Sequence, residues 1–223
     1  GNVAAGTIEV NKLIASSIDS PSLGEVKKPL AKRLADVNHI IGFGQSTKAG
    51  INAMPLQTIT AILNAYRFNG GVRAQDGSGT SAENHASLLP YIETSHDTGD
   101  GVGYETPMGG AITAIFDRLS AEAEGYTSGD IKILGSVPAQ GSKTIAQLRQ
   151  NPGPYMQRII DDMTYGKARA NELGLTYSPH AMIYMGNESD QSAGTTEEVY
   201  LDSFDKMIAA VNGFASDVTG NTE

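Results

Sequence analysis

Cysteine is absent from the 223 residues, and so is tryptophan. Without thiols there is no disulfide, no cysteine nucleophile and no thiolate metal site. Long apolar runs are missing too, since no stretch approaches the roughly 20 residues that a membrane-spanning helix requires. Positive charge is scarce: 16 Lys and Arg stand against 25 Asp and Glu, a net charge of −9. That balance disfavours nucleic acid, whose phosphates call for a basic surface. It is compatible with a neutral partner such as a sugar.

What is present is glycine, 26 residues of it, concentrated between positions 69 and 110. The length suits one domain. The sequence opens Gly1-Asn2-Val3 without a methionine or a basic-then-apolar leader. Its start is therefore expected to be processed or engineered, with any signal peptide already removed. Residues 1–36 are polar and broken by Pro21 and Pro29, which predicts an N-terminal arm ahead of a domain over 37–223.

Three short apolar runs stand out, Val37–Gly44, Ile131–Val137 and Ala181–Met185, the first ending in glycine and the last just before one. Each has the pattern of a buried strand running into a turn. Helical spacing predicts helices over Leu56–Tyr66, Pro107–Glu124, Thr144–Arg149 and Tyr155–Leu173. Leu88–Ile92 reads as a strand within the glycine-rich stretch, and Thr195-Thr196-Glu197-Glu198 as a capping box in which the Thr195 hydroxyl and the Glu198 carboxylate satisfy end amides. Apolar strands alternating with amphipathic helices predict a parallel sheet covered on both faces. Chemistry on such a sheet sits at the carboxyl ends of the strands.

Three strand ends are candidates. Gly44-Gln45-Ser46-Thr47-Lys48 puts a serine hydroxyl and its own backbone amide on a tight turn. Taken alone, a helix-capping serine gives the same pattern. Neither a phosphate loop nor a Ser-x-x-Lys nucleophile fits, because Ala49 stands where that lysine belongs. Gly141 follows the second strand, where a bare backbone amide is approachable, although an ordinary turn glycine looks alike. Asn187, after the third strand, carries an amide able to donate to an oxyanion, or equally to cap a polar turn.

Together the blocks Gly44-Gln45-Ser46, Gly141-Ser142-Lys143-Thr144-Ile145 and Gly186-Asn187-Glu188-Ser189-Asp190 resemble those of SGNH hydrolases. The resemblance is nearest to the sialate O-acetylesterase-like carbohydrate esterases, including those on phage tails, and covers about residues 37–220. It implies a three-layer α/β/α sandwich with a flavodoxin-like parallel sheet. It implies a serine esterase removing O-acetyl groups from a glycan or polysaccharide, with Ser46 as nucleophile. The amides of Ser46 and Gly141 and the Asn187 side chain would form the oxyanion hole. Gln45 and Glu188 would face substrate, with Glu188 and Asp190 positioning their block. No metal or cofactor is implied. An extracellular, cell-surface or virion location follows from the substrate.

The sequence departs from that pattern. Thr47 stands where asparagine is usual, and Gly186-Asn187 where Gln-Gly is usual. After Asp190 there is no histidine to complete an Asp-x-x-His block. The four histidines are His39, His85, His96 and His180. His39 and His180 open strands at the wrong end of the sheet. His85 and His96 fall in the glycine-rich loops, where a substitute base is conceivable. The favoured expectation is a domain incomplete at its C-terminus, whose further strand and histidine come from a second polypeptide. The alternative is a catalytically inactive carbohydrate-binding or structural domain of a surface or virion protein. A lipase or thioesterase is disfavoured by the absence of an acyl-binding stretch. Tyr91, Tyr104 and Tyr184 offer rings for stacking on sugars. Asp97-Thr98-Gly99-Asp100-Gly101 resembles a calcium loop without the required ligand spacing.

Overall fold

The computed structural model describes residues 35–45, 48–50, 53, 57–76, 79–93, 105–122 and 131–220. All but the last two residues of the expected N-terminal arm lie outside that set, as do Ser46, His96, Tyr104 and the Asp97–Gly101 turn.

Five strands form one sheet: β1 (Val37–Gly44), β2 (Ile62–Phe68), β3 (Leu88–Tyr91), β4 (Lys132–Ser136) and β5 (Tyr177–Met185). Their order is β3-β2-β4-β1-β5. β1 lies parallel to both neighbours, with Ile41 opposite Ser136 and Gly44 opposite Met185. β2 is parallel to β4, but β3 runs antiparallel to β2, Leu88 facing Phe68. The sheet is thus mixed and mostly parallel, not wholly parallel as the strand–helix alternation predicts.

The helices are α1 (Ser81–Asn84), α2 (Pro107–Glu122), α3 (Ile145–Leu148), α4 (Pro154–Glu172), α5 (Glu188–Ser192) and α6 (Glu197–Thr219). Alternating side chains of β1 divide the core between the two faces. Ile40 joins Ile133, Met108 and Ile112 beneath α2. Ile41 and Phe43 join Ile145, Leu148, Met156, Ile159 and Met207 beneath α3, α4 and α6. Helices therefore cover both faces, as in a flavodoxin-like α/β fold.

All eight β1 residues are buried. In β5 none is fully buried, because β1 pairs with one edge and no described strand pairs with the other.

Local chemistry explains most element ends. Thr144 accepts from Gln147 N while the Gln147 side chain accepts from Thr144 N, a reciprocal cap that lets a four-residue helix stand alone. Pro154 opens α4 at a position with no amide partner to lose. The cap of α6 is Thr196, whose hydroxyl accepts from Val199 N, not Thr195. The third helical residue is thus valine, so no carboxylate completes a box there.

The expected helix over Leu56–Tyr66 is strand β2 at its C-terminal end. Its apparent stripe of Ile59, Ile62 and Leu63 is split: Ile62 packs against the core, but Ile59 is 69% and Leu63 73% exposed. The spacing was fortuitous, and pairing with β3 and β4 decides the conformation.

Candidate functional site

The three strand ends meet at the carboxyl edge of the sheet, and backbone contacts draw them together. Gln45 N donates to Met185 O at 2.9 Å, and Gln140 N to Gly44 O at 2.9 Å. Gly44 has φ +134°, and a Cβ there would fall 1.8 Å from Met185 O. Only glycine permits this approach.

The Gln45 side chain is the junction of all three blocks. Its Nε2 donates to Lys143 O at 2.6 Å and to Asp190 Oδ2 at 3.2 Å. Its Oε1 accepts from Ser189 N at 3.2 Å. Asp190 Oδ2 also accepts from Ile145 N, the first helical residue of α3, at 2.9 Å. Gln45 and Asp190 are both buried. With its amide fully occupied inside the protein, Gln45 is not a substrate contact. That expectation is corrected: the side chain holds the blocks in register.

Lys48 N and Ala49 N both donate to Gln45 O, which fixes the turn over 48–50 against the end of β1. Arg73, paired with Asp76, grips this turn through Ala49 O at 3.2 Å. Ser46 lies between these fixed points in sequence, outside the described residues. Gly141 is half-buried in the turn after β4. Its successor Ser142 has φ +57°, a left-handed conformation uncommon for a side-chain-bearing residue. Asn187 is exposed at the start of α5, and its side chain makes no capping bond. Tyr200 donates to Gly186 O at 2.8 Å, tying α6 to the same turn. Glu188 is exposed. With Ser142, Thr144, Ser189, Ser192 and Ala193 it lines an open depression of about 460 Å³.

Two of the described histidines, His39 and His85, stand in the core. His39 is buried, with Nδ1 2.7 Å from Tyr177 Oη and Nε2 2.8 Å from Ser136 Oγ. Burial pushes it down to about 3, helped by the charge of His85. His85 is buried as well, its Nε2 2.8 Å from Asp162 Oδ1 and its Nδ1 2.6 Å from Ser81 O. Burial opposes its charge, but the Asp162 bond and carboxylate outweigh it and hold the ring above its ordinary value. The Phe68 ring packs edge-on to both histidines, and Tyr165 stacks on His85. His85 is thus a core residue, not an exposed loop base. Tyr91 is sealed, donating to Glu93 at 2.6 Å. Tyr184 packs between Phe43 and Phe204. Neither of these two rings presents an open face to a sugar.

Besides Arg67 and Asp162, two buried charged groups near the strand ends carry no sequence signal. Lys48 is fully buried with no partner for Nζ among the described residues. Glu93 Oε1 accepts from Tyr91 and from Thr106, at 2.6 and 2.5 Å, while Oε2 has no partner. Burial lowers Lys48 to about 8 and raises Glu93 to about 7.

Among the described residues no cluster of histidine and carboxylate groups suits a metal ion, and no helix is long and apolar enough to cross a membrane. No family model and no curated protein matches the chain.

Proposed function

We propose that the protein is a serine esterase of the SGNH type that removes O-acetyl groups from a glycan or polysaccharide, with Ser46 as its nucleophile. One observation carries this reading: Gln45 joins the serine, glycine and Asn-Glu-Ser-Asp blocks by direct hydrogen bonds at the carboxyl edge of the sheet. Residues scattered over 145 positions would have no reason to converge so closely in a fold that used none of them.

In this mechanism Ser46 Oγ bonds to the ester carbonyl carbon while its proton passes to a base. The amides of Ser46 and Gly141 and the free Asn187 side chain receive the oxyanion. Donors of this kind are worth about 10²–10³ in rate each. The C–O bond to the sugar breaks, the base returns the proton to the sugar oxygen, and water cleaves the acetyl-enzyme to acetate. Hydroxyls and Glu188 around the open depression suit a neutral polyol. Glycans of this sort place the protein at a cell surface, outside the cell or on a virion.

His39 and His85 are sealed and engaged, so neither is the base. The unpaired edge of β5 favours a strand and histidine supplied by a segment outside residues 37–220, including one from a second polypeptide. The same sealed histidines favour the second reading, an inactive glycan-binding domain.

Hydrolysis of p-nitrophenyl acetate and of an acetylated polysaccharide by the complete protein decides between them. Ser46→Ala is expected to abolish acetate release. Equal rates for variant and wild type would overturn the esterase reading, and glycan retention without turnover would establish the second.

A further inference from the structure

Lys48 combines two local penalties that bring the fold no evident return. Its ammonium is buried without a hydrogen-bond partner among the described residues. Its stem occupies a groove opened by a glycine in the central strand: a Cβ at Gly42 would lie 2.4 Å from Lys48 Cε and 3.1 Å from Nζ. Glycine within a strand weakens it, and an unpaired buried charge opposes folding. Rules broken together in this way mark functional positions.

The surroundings define what the charge does. Val137, at the end of β4, closes the groove, its Cγ2 3.1 Å from the same Gly42 Cβ point. Glu93 is the carboxylate that acts on Lys48 electrostatically, without a direct bond. Tyr91 and Thr106 hold the other Glu93 oxygen. Glu105 is turned away, accepting from Gln57 N and from Thr58. Arg67, on β2, bonds Phe68 O, and Arg73 is paired with Asp76. The Lys48 charge is therefore not neutralised at contact distance, and it sits in low-dielectric surroundings where its field reaches far. Its own backbone amide donates to Gln45 O.

We propose that Lys48 is a positioning residue of the strand-end site, its ammonium, buried beside Gly42 of β1 and two residues after Ser46 in sequence, supplying a positive potential that favours negative charge at the reacting oxygen. This rests on the esterase reading. The ammonium works while protonated. As pH rises through about 8 the proton leaves and turnover falls.

The test compares wild type, Ser46→Ala, Lys48→Met and Lys48→Arg as complete proteins, with p-nitrophenyl acetate as probe. Lys48→Met is expected to lower kcat/KM about ten-fold near neutral pH. It is also expected to erase the alkaline limb centred near 8 and to raise the thermal midpoint, because an uncompensated buried charge is gone. Lys48→Arg retains charge and is expected to move the limb beyond the measurable range. NMR titration of the Lys48 side chain in wild type gives a readout free of turnover. A midpoint near 8 agrees, and one at the ordinary lysine value overturns the proposal. Ser46-dependent turnover with an unchanged rate and alkaline limb in Lys48→Met overturns the Lys48 proposal alone. Turnover that ignores Ser46 overturns the esterase reading beneath it.

Discussion

Removing the proton-binding capacity of His39 is expected to flatten the acid side of the stability profile. The ring is buried between Tyr177 and Ser136, whose hydroxyls satisfy a neutral imidazole in either tautomer but supply no counter-charge. Folding lowers its value from 6.5 to about 3. Between those limits the unfolded chain binds a proton that the folded chain refuses, so stability falls as pH falls through 6.5. From about pH 7.5 to about pH 5 the loss from this residue alone is about 2 kcal/mol, growing to about 3 kcal/mol near pH 4. His85 acts in the opposite sense. Its folded value is raised by Asp162, so its contribution is full below 6.5 and is lost as pH rises through the folded value. Comparing wild type with His39→Gln isolates the first effect, because glutamine keeps hydrogen-bonding capacity and does not titrate. The assay is guanidinium unfolding at matched pH values, with the change in stability across pH compared and not its level, since the variant also disturbs packing. Parallel profiles for the two proteins would refute the reasoning, as would an NMR titration showing the His39 ring protonating near 6.5.

Asp190→Ala removes the acceptor shared by Ile145 N and Gln45 Nε2; guanidinium unfolding is expected to show a loss of about 2–4 kcal/mol, with Asp190→Asn losing less than half of that. Gly42→Ala forces a methyl against the Lys48 stem and is expected to destabilise by about 1–3 kcal/mol, measured the same way. In a Lys48→Ala background the same change is expected to become nearly neutral, a coupling that a double-mutant cycle reads directly.

The parts of the fold legible in the sequence are those set by local chemistry. The β1, β4 and β5 runs announce themselves because parallel strands carry apolar residues on both faces, and β1 and β5 also run into glycine. α2 and α4 show a stripe behind an opening proline. β2 was misread because its conformation is decided by partners on β3 and β4, and local spacing carries no trace of them. The meeting of Gln45 with Lys143, Ser189 and Asp190 follows from placing the strand ends on one edge. The use made of Gln45 does not, since an amide bound inward and one bound to substrate look identical in sequence. His85 sits in a stretch that reads as loop, yet its partner Asp162 lies 77 residues away on α4. Lys48 was invisible for a related reason: lysine is ordinarily exposed, and only the missing side chain at Gly42 makes room for it inside.

The burial of β1 also bears on the order in which the protein is made. This strand, buried at every position, is synthesised first, but its neighbours β4 and β5 begin only at Lys132 and Tyr177. At ribosomal speeds of roughly 5–20 residues per second, the wait from Gly44 to Tyr177 is on the order of ten seconds. Until β4 is made this apolar ribbon lacks both of its described partners, and until β5 is made it lacks one of them. The nascent chain thus depends on whatever shields β1 until the second half of the domain arrives, and truncations ending before Tyr177 leave that strand permanently without one of its two partners.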